Sequence, residues 1–279
     1  MKHKTLNFKL SAMLLFFALP LLIISTKCLA QRNNLIIYMG FEDELDVCGD
    51  GSCTWNYQGG SDCNPINQSW VKEGEFCAPA PRSGKYMFRT KTWKNIPKEC
   101  YPGHSGNPKV RTEILGPQVL PVNSERWIGF SVYFPTANGP KPDKPVAFAQ
   151  WHYNSGGFEL LKIEIKNNNY HFTHWNDALG KRQNPGFGTV EYDKWIDIVI
   201  HIKVTQPSNP ARGFVKIYID DKEELSILDI DMQRDTSTKT ARAKLGQYAH
   251  QGWPESNPDE IVVFHDEYRI GDENASYQH

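Results

Sequence analysis

Three short polar patterns recur at every second residue in distant parts of the 279-residue chain: Arg111-Thr-Glu113, Gln150-Trp-His152 and Lys244-Leu-Gly246-Gln-Tyr248. Each lies in strand-like surroundings, where residues i and i+2 point to the same side of a sheet. The polar members of each pattern therefore share a face, while Thr112, Ile114, Trp151 and Leu245 point elsewhere. A guanidinium, an amide, an imidazole, an ammonium and a phenol on one surface suit an anionic sugar. The chemistry such a set could run is elimination across a uronate. The proton at C5 of a uronate is hardly acidic beside an ionised carboxylate, so the carboxylate must be neutralised and the developing enolate-like charge stabilised. A base at C5 and an acid for the departing glycosidic oxygen complete the requirement.

The residues divide among these tasks. Arg111 offers a permanent fork of charge for a carboxylate. Gln150 can donate its amide to the same group, and His152 can donate to it or take a proton. Tyr248 can act as base, acid or both in turn, with the positive Lys244 close by. Glu113 is expected on the substrate side as the partner that orients Arg111 or another cation. Trp151, His201 and His250 are further expected substrate contacts. Trp151 sits between Gln150 and His152, His201 opposes a row of isoleucines, and His250 shares the strand parity of Tyr248.

The elements that must position these groups are strands. Ile196, Ile198, Ile200, Ile202 and Val204 alternate with polar residues, and Val215, Ile217 and Ile219 do the same before a turn at Asp220-Asp221. Further strands are expected at 35–42, 85–93, 127–135, 146–154, 158–166, 169–176, 243–250 and 260–271. Proline- and glycine-rich stretches such as PTANGPKPDKP punctuate them. Many short strands with such turns predict an all-β sandwich or jelly roll in a single domain, 31–279. The segment 46–108 is loop-rich and holds Trp55, Trp70 and Trp93, which could form a wall for stacking on sugar rings.

Residues 1–30 read as a signal peptide: early lysines, an apolar run from Leu10 to Ile24 and a small residue at Ala30. The chain is therefore expected to be secreted or periplasmic, with no membrane contact after cleavage. Removing that segment takes away four of the 31 basic residues and none of the 32 acids, leaving 27 against 32. A net negative chain with no basic run disfavours a nucleic-acid partner, and it must concentrate positive charge locally to hold a polyanion. A monomer acting on an anionic polysaccharide is expected. Cys48, Cys53, Cys63, Cys77 and Cys100 remain, with Cys48–Cys53 and Cys63–Cys77 as local disulfide candidates. No organic cofactor is required. A structural calcium is considered at Glu42, Asp43 and Asp266, acids near the two ends of the mature chain whose strands could pair. A two-carboxylate glycosidase row starting at Glu44 and Asp46 lacks its third acid, because Gly49 stands there.

RTEIL at 111–115, QWH at 150–152 and AKLGQY at 243–248 resemble the three motifs of jelly-roll polysaccharide lyases of the alginate lyase type. The order and spacing of the wider chain, about Leu35 to Tyr277, resemble the heparin lyase I-like group. WIGFSVYFP follows the arginine motif, QWH comes next, and HDEYRIGDENASY closes the chain. The resemblance implies a concanavalin A-like β-jelly roll and β-elimination on a uronate polysaccharide. It implies carboxylate neutralisation by Arg111, Gln150 and His152, and proton transfer by Tyr248. Leu115 stands where the arginine motif often carries a second arginine, and Ala249-His250-Gln251 follow the tyrosine where Asn-Gln is common. The rival reading is a carbohydrate-binding jelly roll without catalysis, which needs no tyrosine–histidine pair.

Overall fold

The computed structural model describes residues 35–42, 56–58, 68–94, 110–153, 159–176, 180–206, 209–232, 240–249, 253 and 256–276. In chain order the strands are β1 (Leu35–Met39), β2 (Asn56–Gln58), β3 (Gln68–Val71), β4 (Met87–Trp93), β5 (Val110–Leu120) and β6 (Ser124–Tyr133). There follow β7 (Val146–Tyr153), β8 (Glu159–Lys166), β9 (Asn169–Asn176), β10 (Lys181–Gln183) and β11 (Gly186–Thr189). The last are β12 (Trp195–Val204), β13 (Gly213–Ile219), β14 (Lys222–Ile230), β15 (Ala241–Ala249) and β16 (Glu260–Gly271). They form two antiparallel sheets. The first runs β14-β13-β12-β6-β16-β4-β3 with β1 added to β16, and the second runs β10-β9-β8-β7-β15-β5-β2 with β11 added to β9. The architecture is the expected β-jelly-roll sandwich. Among the described residues, no helix is long and apolar enough to cross a membrane.

The alternating isoleucines of β12 are buried while the residues between them are partly exposed, so this row lines the inner face of the first sheet. Opposite them, Phe148, Trp151, Leu161, Ile163, Tyr170 and Phe172 face inward from β7, β8 and β9. Two tight hairpins frame the outer parts of the sheets. Asn167-Asn168 joins β8 to β9, and Asp220-Asp221 joins β13 to β14; all four residues have positive φ, which matches the twist of two-residue turns. Strand β14 was not among the expected strands, because KEELSILDI shows no alternation. Within 46–108, where loops were expected, β2 and β3 add to the anticipated β4. Trp70 packs edge-on against Phe88, and Trp93 lies against the same core, both partly buried on the first sheet; Trp55 lies outside the described residues.

Polar contacts cross the core beneath β5, β15 and β7. The Gln247 amide donates to the carbonyls of Thr90 (2.9 Å) and Ile261 (3.2 Å) on the first sheet. Thr92 and Thr112 share a hydrogen bond of 3.1 Å between their hydroxyls. His265 Nε2 donates to the Phe148 carbonyl at 3.1 Å. Strand β15 also carries a bulge. Leu245 pairs with Ala149 and Tyr248 with Ala147, so three steps on β15 face two on β7. Gly246 sits in the bulge with φ +137°, and a Cβ there would fall 2.2 Å from the Thr112 carbonyl oxygen.

Strands β1 and β16 do pair, as the calcium expectation required. The Glu42 carboxylate accepts the backbone N–H groups of Lys85 and Tyr86, and Asp266 accepts those of Arg82, Ser83 and Glu267. Both carboxylates thereby hold the 82–86 turn, and among the described residues no cluster of three potential ligands occurs. Asp43 lies outside the described residues. Cys77 is free and exposed, so the expected Cys63–Cys77 bridge is absent; Cys77 and its neighbour Phe76 occupy a tight left-handed turn. The other cysteines, and the expected signal peptide at 1–30, lie outside the described residues.

Two predictions follow from the core. Burial lowers the pKa of His265 to about 4, from 6.5 for a solvated imidazole. The unfolded chain therefore takes up this proton first, so stability is full above pH 6.5 and falls as pH drops toward 4. By then the loss reaches about 3 kcal/mol. Denaturant titrations across that window should show a flatter pH dependence for His265→Gln than for wild type. Gly246→Ala, which places a Cβ against backbone at positive φ, should lower stability by about 2–4 kcal/mol. An unchanged denaturation midpoint would mean the bulge relaxes without strain.

Candidate active site

The three patterns meet on the outer face of the second sheet, where β15 lies between β5 and β7. Across β15–β5, Tyr248 stands opposite Arg111 and Gly246 opposite Glu113. Across β15–β7, Lys244 stands opposite Gln150 and Arg242 opposite His152. Their alternate neighbours Thr112, Ile114, Trp151 and Leu245 are buried in the core, as the parity of the strands requires. Arg111, Glu113, Gln150 and Lys244 are themselves no more than 9% exposed, so this outer face is recessed.

Glu113 ties the centre together. It accepts a hydrogen bond from the Gln150 amide, while its other oxygen lies 4.0 Å from Arg111 Nε. The Gln150–Glu113 contact spans β15 between β7 and β5. The Arg111 guanidinium stacks on the Tyr248 ring, with Cζ 4.6 Å from the ring centroid. His152 Nδ1 is 2.7 Å from the Tyr153 carbonyl. That carbonyl can only accept, so Nδ1 carries the proton and Nε2 presents a lone pair. Burial lowers the pKa of His152, and the positive charges of Lys244 and Arg111 lower it further. The imidazole is thus neutral near pH 7. Burial likewise lowers the pKa of Lys244, opposed by Glu113 and assisted by Arg111 and Arg242.

The same face continues onto β8, β9 and β10 with charges that satisfy one another. Lys162 Nζ is 2.8 Å from Glu164 and 3.5 Å from Glu159, and Glu159 also holds Arg182 at 2.9 Å. Thr173 donates its hydroxyl to Glu164. Sequence reasoning passed over Arg242, Lys162 and Glu164. Arg242 was legible as the next same-face residue before Lys244, and Lys162 and Glu164 as the polar members of an alternating strand.

Two expected substrate contacts are corrected. Trp151 is fully buried and packs toward Phe130 in the core, because the strand parity that exposes Gln150 and His152 turns it inward. His201 does oppose the isoleucine row, but on the outer face of the first sheet. There it stacks on Trp127 at 3.8 Å and bonds Glu125 at 2.8 Å, across the sandwich from the recess. His250 lies outside the described residues. His174 is buried against Phe172, on the core side of β9.

Comparison with solved structures gives the same architecture. An endo-β-1,4-glucuronan lyase from the fungus Trichoderma reesei superimposes with a TM-score of 0.59 at 17% identity, covering 86% of this chain and 94% of that one. The catalytic domain of a glycoside hydrolase family 131 protein from Coprinopsis cinerea gives 0.55 at 10% identity, covering 88% and 98%. The botulinum neurotoxin type G receptor-binding domain gives 0.51 at 17%, covering 87% of this chain and 49% of that one. At these identities the likeness establishes the fold, which lyases, hydrolases and binding domains share. No curated protein sequence matches the chain significantly. Residues 72–269, most of the chain, match the sequence model of the polysaccharide lyases, and by that match the chain belongs to the polysaccharide lyase family.

Proposed function

We propose that the protein is a secreted lyase that cleaves a uronic-acid-containing polysaccharide by β-elimination. The observation that carries this reading is the convergence of Arg111, Glu113, Gln150, His152, Lys244 and Tyr248 on one recessed face. The uronate polymer named for the Trichoderma reesei lyase supports the substrate class. The basic start and apolar run within residues 1–30 support export.

In this mechanism Arg111, backed by Glu113, and Gln150 grip the carboxylate of the sugar that loses its C5 proton. Positive charge and an amide fixed in a recess stabilise the dianionic intermediate without reorganising. Tyr248, its ring held by the Arg111 guanidinium, transfers a proton to the departing glycosidic oxygen or takes one from C5. His152, neutral and with Nε2 presenting its lone pair, donates nothing through that atom; it serves as a base or as an acceptor for a substrate hydroxyl. Lys244 holds positive charge beside Gln150, where the carboxylate would lie.

The reaction is read from the ultraviolet absorbance of the unsaturated product on a panel of uronate polymers. Tyr248→Phe should lower kcat by about 10²–10⁴-fold while leaving polymer affinity within a few-fold of wild type. Near-normal turnover in that variant would remove Tyr248 from proton transfer. A protein that binds these polymers but never yields the product would be a carbohydrate-binding jelly roll. Because His152 must be neutral and its pKa is lowered, the acidic limb of kcat/KM should fall below pH 6.5 and disappear in His152→Gln. A limb above pH 6.5 would assign it to another group.

A further inference from the structure

Strand β8 breaks its own alternation where it passes His152. Leu161 stands opposite Trp151 across β7–β8, but the next pairing sets Glu159 against His152, so Leu160 is the extra residue of a bulge. Leu160 and Leu161 are both buried in the core. Strict alternation back from Leu161 would have turned Leu160 outward and Glu159 into the core. The bulge reverses that and brings Glu159 onto the outer face, within side-chain reach of His152. Its ion pairs with Lys162 and Arg182 lie on the same face.

The Glu159 carboxylate is held in place and kept ionised. Lys162 Nζ lies 3.5 Å away on β8, and Arg182 reaches in from β10 to 2.9 Å. Burial would raise the pKa of Glu159, yet Lys162, its own backbone N–H and Arg182 hold it below the ordinary carboxylate range, and His152 adds to their effect. His152 otherwise faces cations: Arg242 opposite it and Lys244 beyond, both on β15, and Arg111 on β5. Burial lowers the pKa of His152 and Lys244 and Arg111 lower it further, while the Tyr153 carbonyl and Glu159 act in the opposite direction. The other carboxylates of the face are placed differently. Glu113 accepts from Gln150, and Glu164 stands opposite Ala147, where it holds Lys162 at 2.8 Å.

We propose that Glu159 is a positioning residue that acts through His152: set opposite the ring by the bulge, its carboxylate stabilises the imidazolium formed when Nε2 takes a proton from the sugar. In that step the C5–H bond breaks, its electron pair moves toward the sugar carboxylate, and the proton ends on Nε2. The ring gains one positive charge, and Glu159 faces it. The inference rests on the reading of His152 as a base in the elimination. Proton NMR titration of the His152 ring, its signals identified by their loss in His152→Gln, tests the contact without turnover. Glu159→Gln should lower the His152 midpoint by about 0.5–1 pH unit. Glu164→Gln, which takes a carboxylate from the same lysine but faces Ala147, should leave it unchanged. Glu159→Asp keeps the charge one methylene further back and should fall between wild type and Glu159→Gln; it decides alone if the glutamine variant does not fold. With polymer, the acidic limb of kcat/KM in Glu159→Gln should move to lower pH with the midpoint, and kcat above it should fall about twofold to threefold, as a weaker base requires. An unmoved His152 midpoint, or an equal shift in Glu164→Gln, overturns the proposal. Absence of the unsaturated product with wild type counts against the elimination reaction, and the NMR midpoint still decides whether Glu159 acts on His152.

Discussion

The register of β15 between β5 and β7 is the constraint on which every contact of the site depends. Side chains alternate with a period of two, so a one-residue slip of β15 would send Lys244 and Tyr248 into the core and expose Leu245 and Gln247. Two features oppose such a slip. Gln247 reaches across the sandwich to carbonyls on β4 and β16, and a shifted strand would leave that buried amide without acceptors. The bulge at Gly246 then adds one residue against β7 while the pairing with β5 stays continuous from Lys244 to Ala249. His265 ties β7 itself to the first sheet through the Phe148 carbonyl. Buried polar contacts of this kind specify an arrangement more than they stabilise it, since each would be costly if mispaired.

Charge on the outer face divides into two regions. On β8, β9 and β10 the ions neutralise one another, with Lys162 between Glu164 and Glu159 and Arg182 closing on Glu159. On β5, β15 and β7, Arg111, Lys244 and Arg242 surround Glu113, which accepts from Gln150, while Glu159 of the first region also acts on Lys244. The second region is therefore positive in a chain whose sequence beyond residue 30 is negative overall. Local concentration of charge in a recess is what a polyanion requires, because fields focus where low-dielectric walls exclude water. Losing one member of the first region leaves its partner buried and unpaired.

Much of this was legible in the sequence, for identifiable reasons. Alternation at Arg111-Thr-Glu113, Gln150-Trp-His152 and Lys244 to Tyr248 fixes which residues share a face, and the isoleucine row of β12 fixes the inner side of its sheet. Parity, however, says nothing about which sheet a strand joins. His201 is on an outer face as its spacing required, but on the wrong sheet, because the pairing of β12 with β6 and β13 is non-local information. Trp151 was misassigned for the opposite reason: proximity in sequence to Gln150 and His152 was given more weight than its own parity. That Glu42 and Asp266 bind the backbone of the 82–86 turn was not legible either, since main-chain donors leave no mark in composition or motif. Strand β14 escaped notice as an edge, where both faces can be polar and alternation fades.

His152 links the electrostatics of the face to its chemistry. A neutral imidazole among cations is a poor base in the empty site, since protonation would add a further charge to Arg111 and Lys244 in a partly desolvated place. A bound uronate changes that balance. Its carboxylate would offset the same cations that depress His152, so the proton affinity of Nε2 would rise once substrate is in place. The donor hydrogen bond from Nδ1 to the Tyr153 carbonyl becomes stronger on protonation and favours the same direction. The cations and the imidazole are coupled: an anion that offsets Arg111 and Lys244 would also raise the proton affinity of His152.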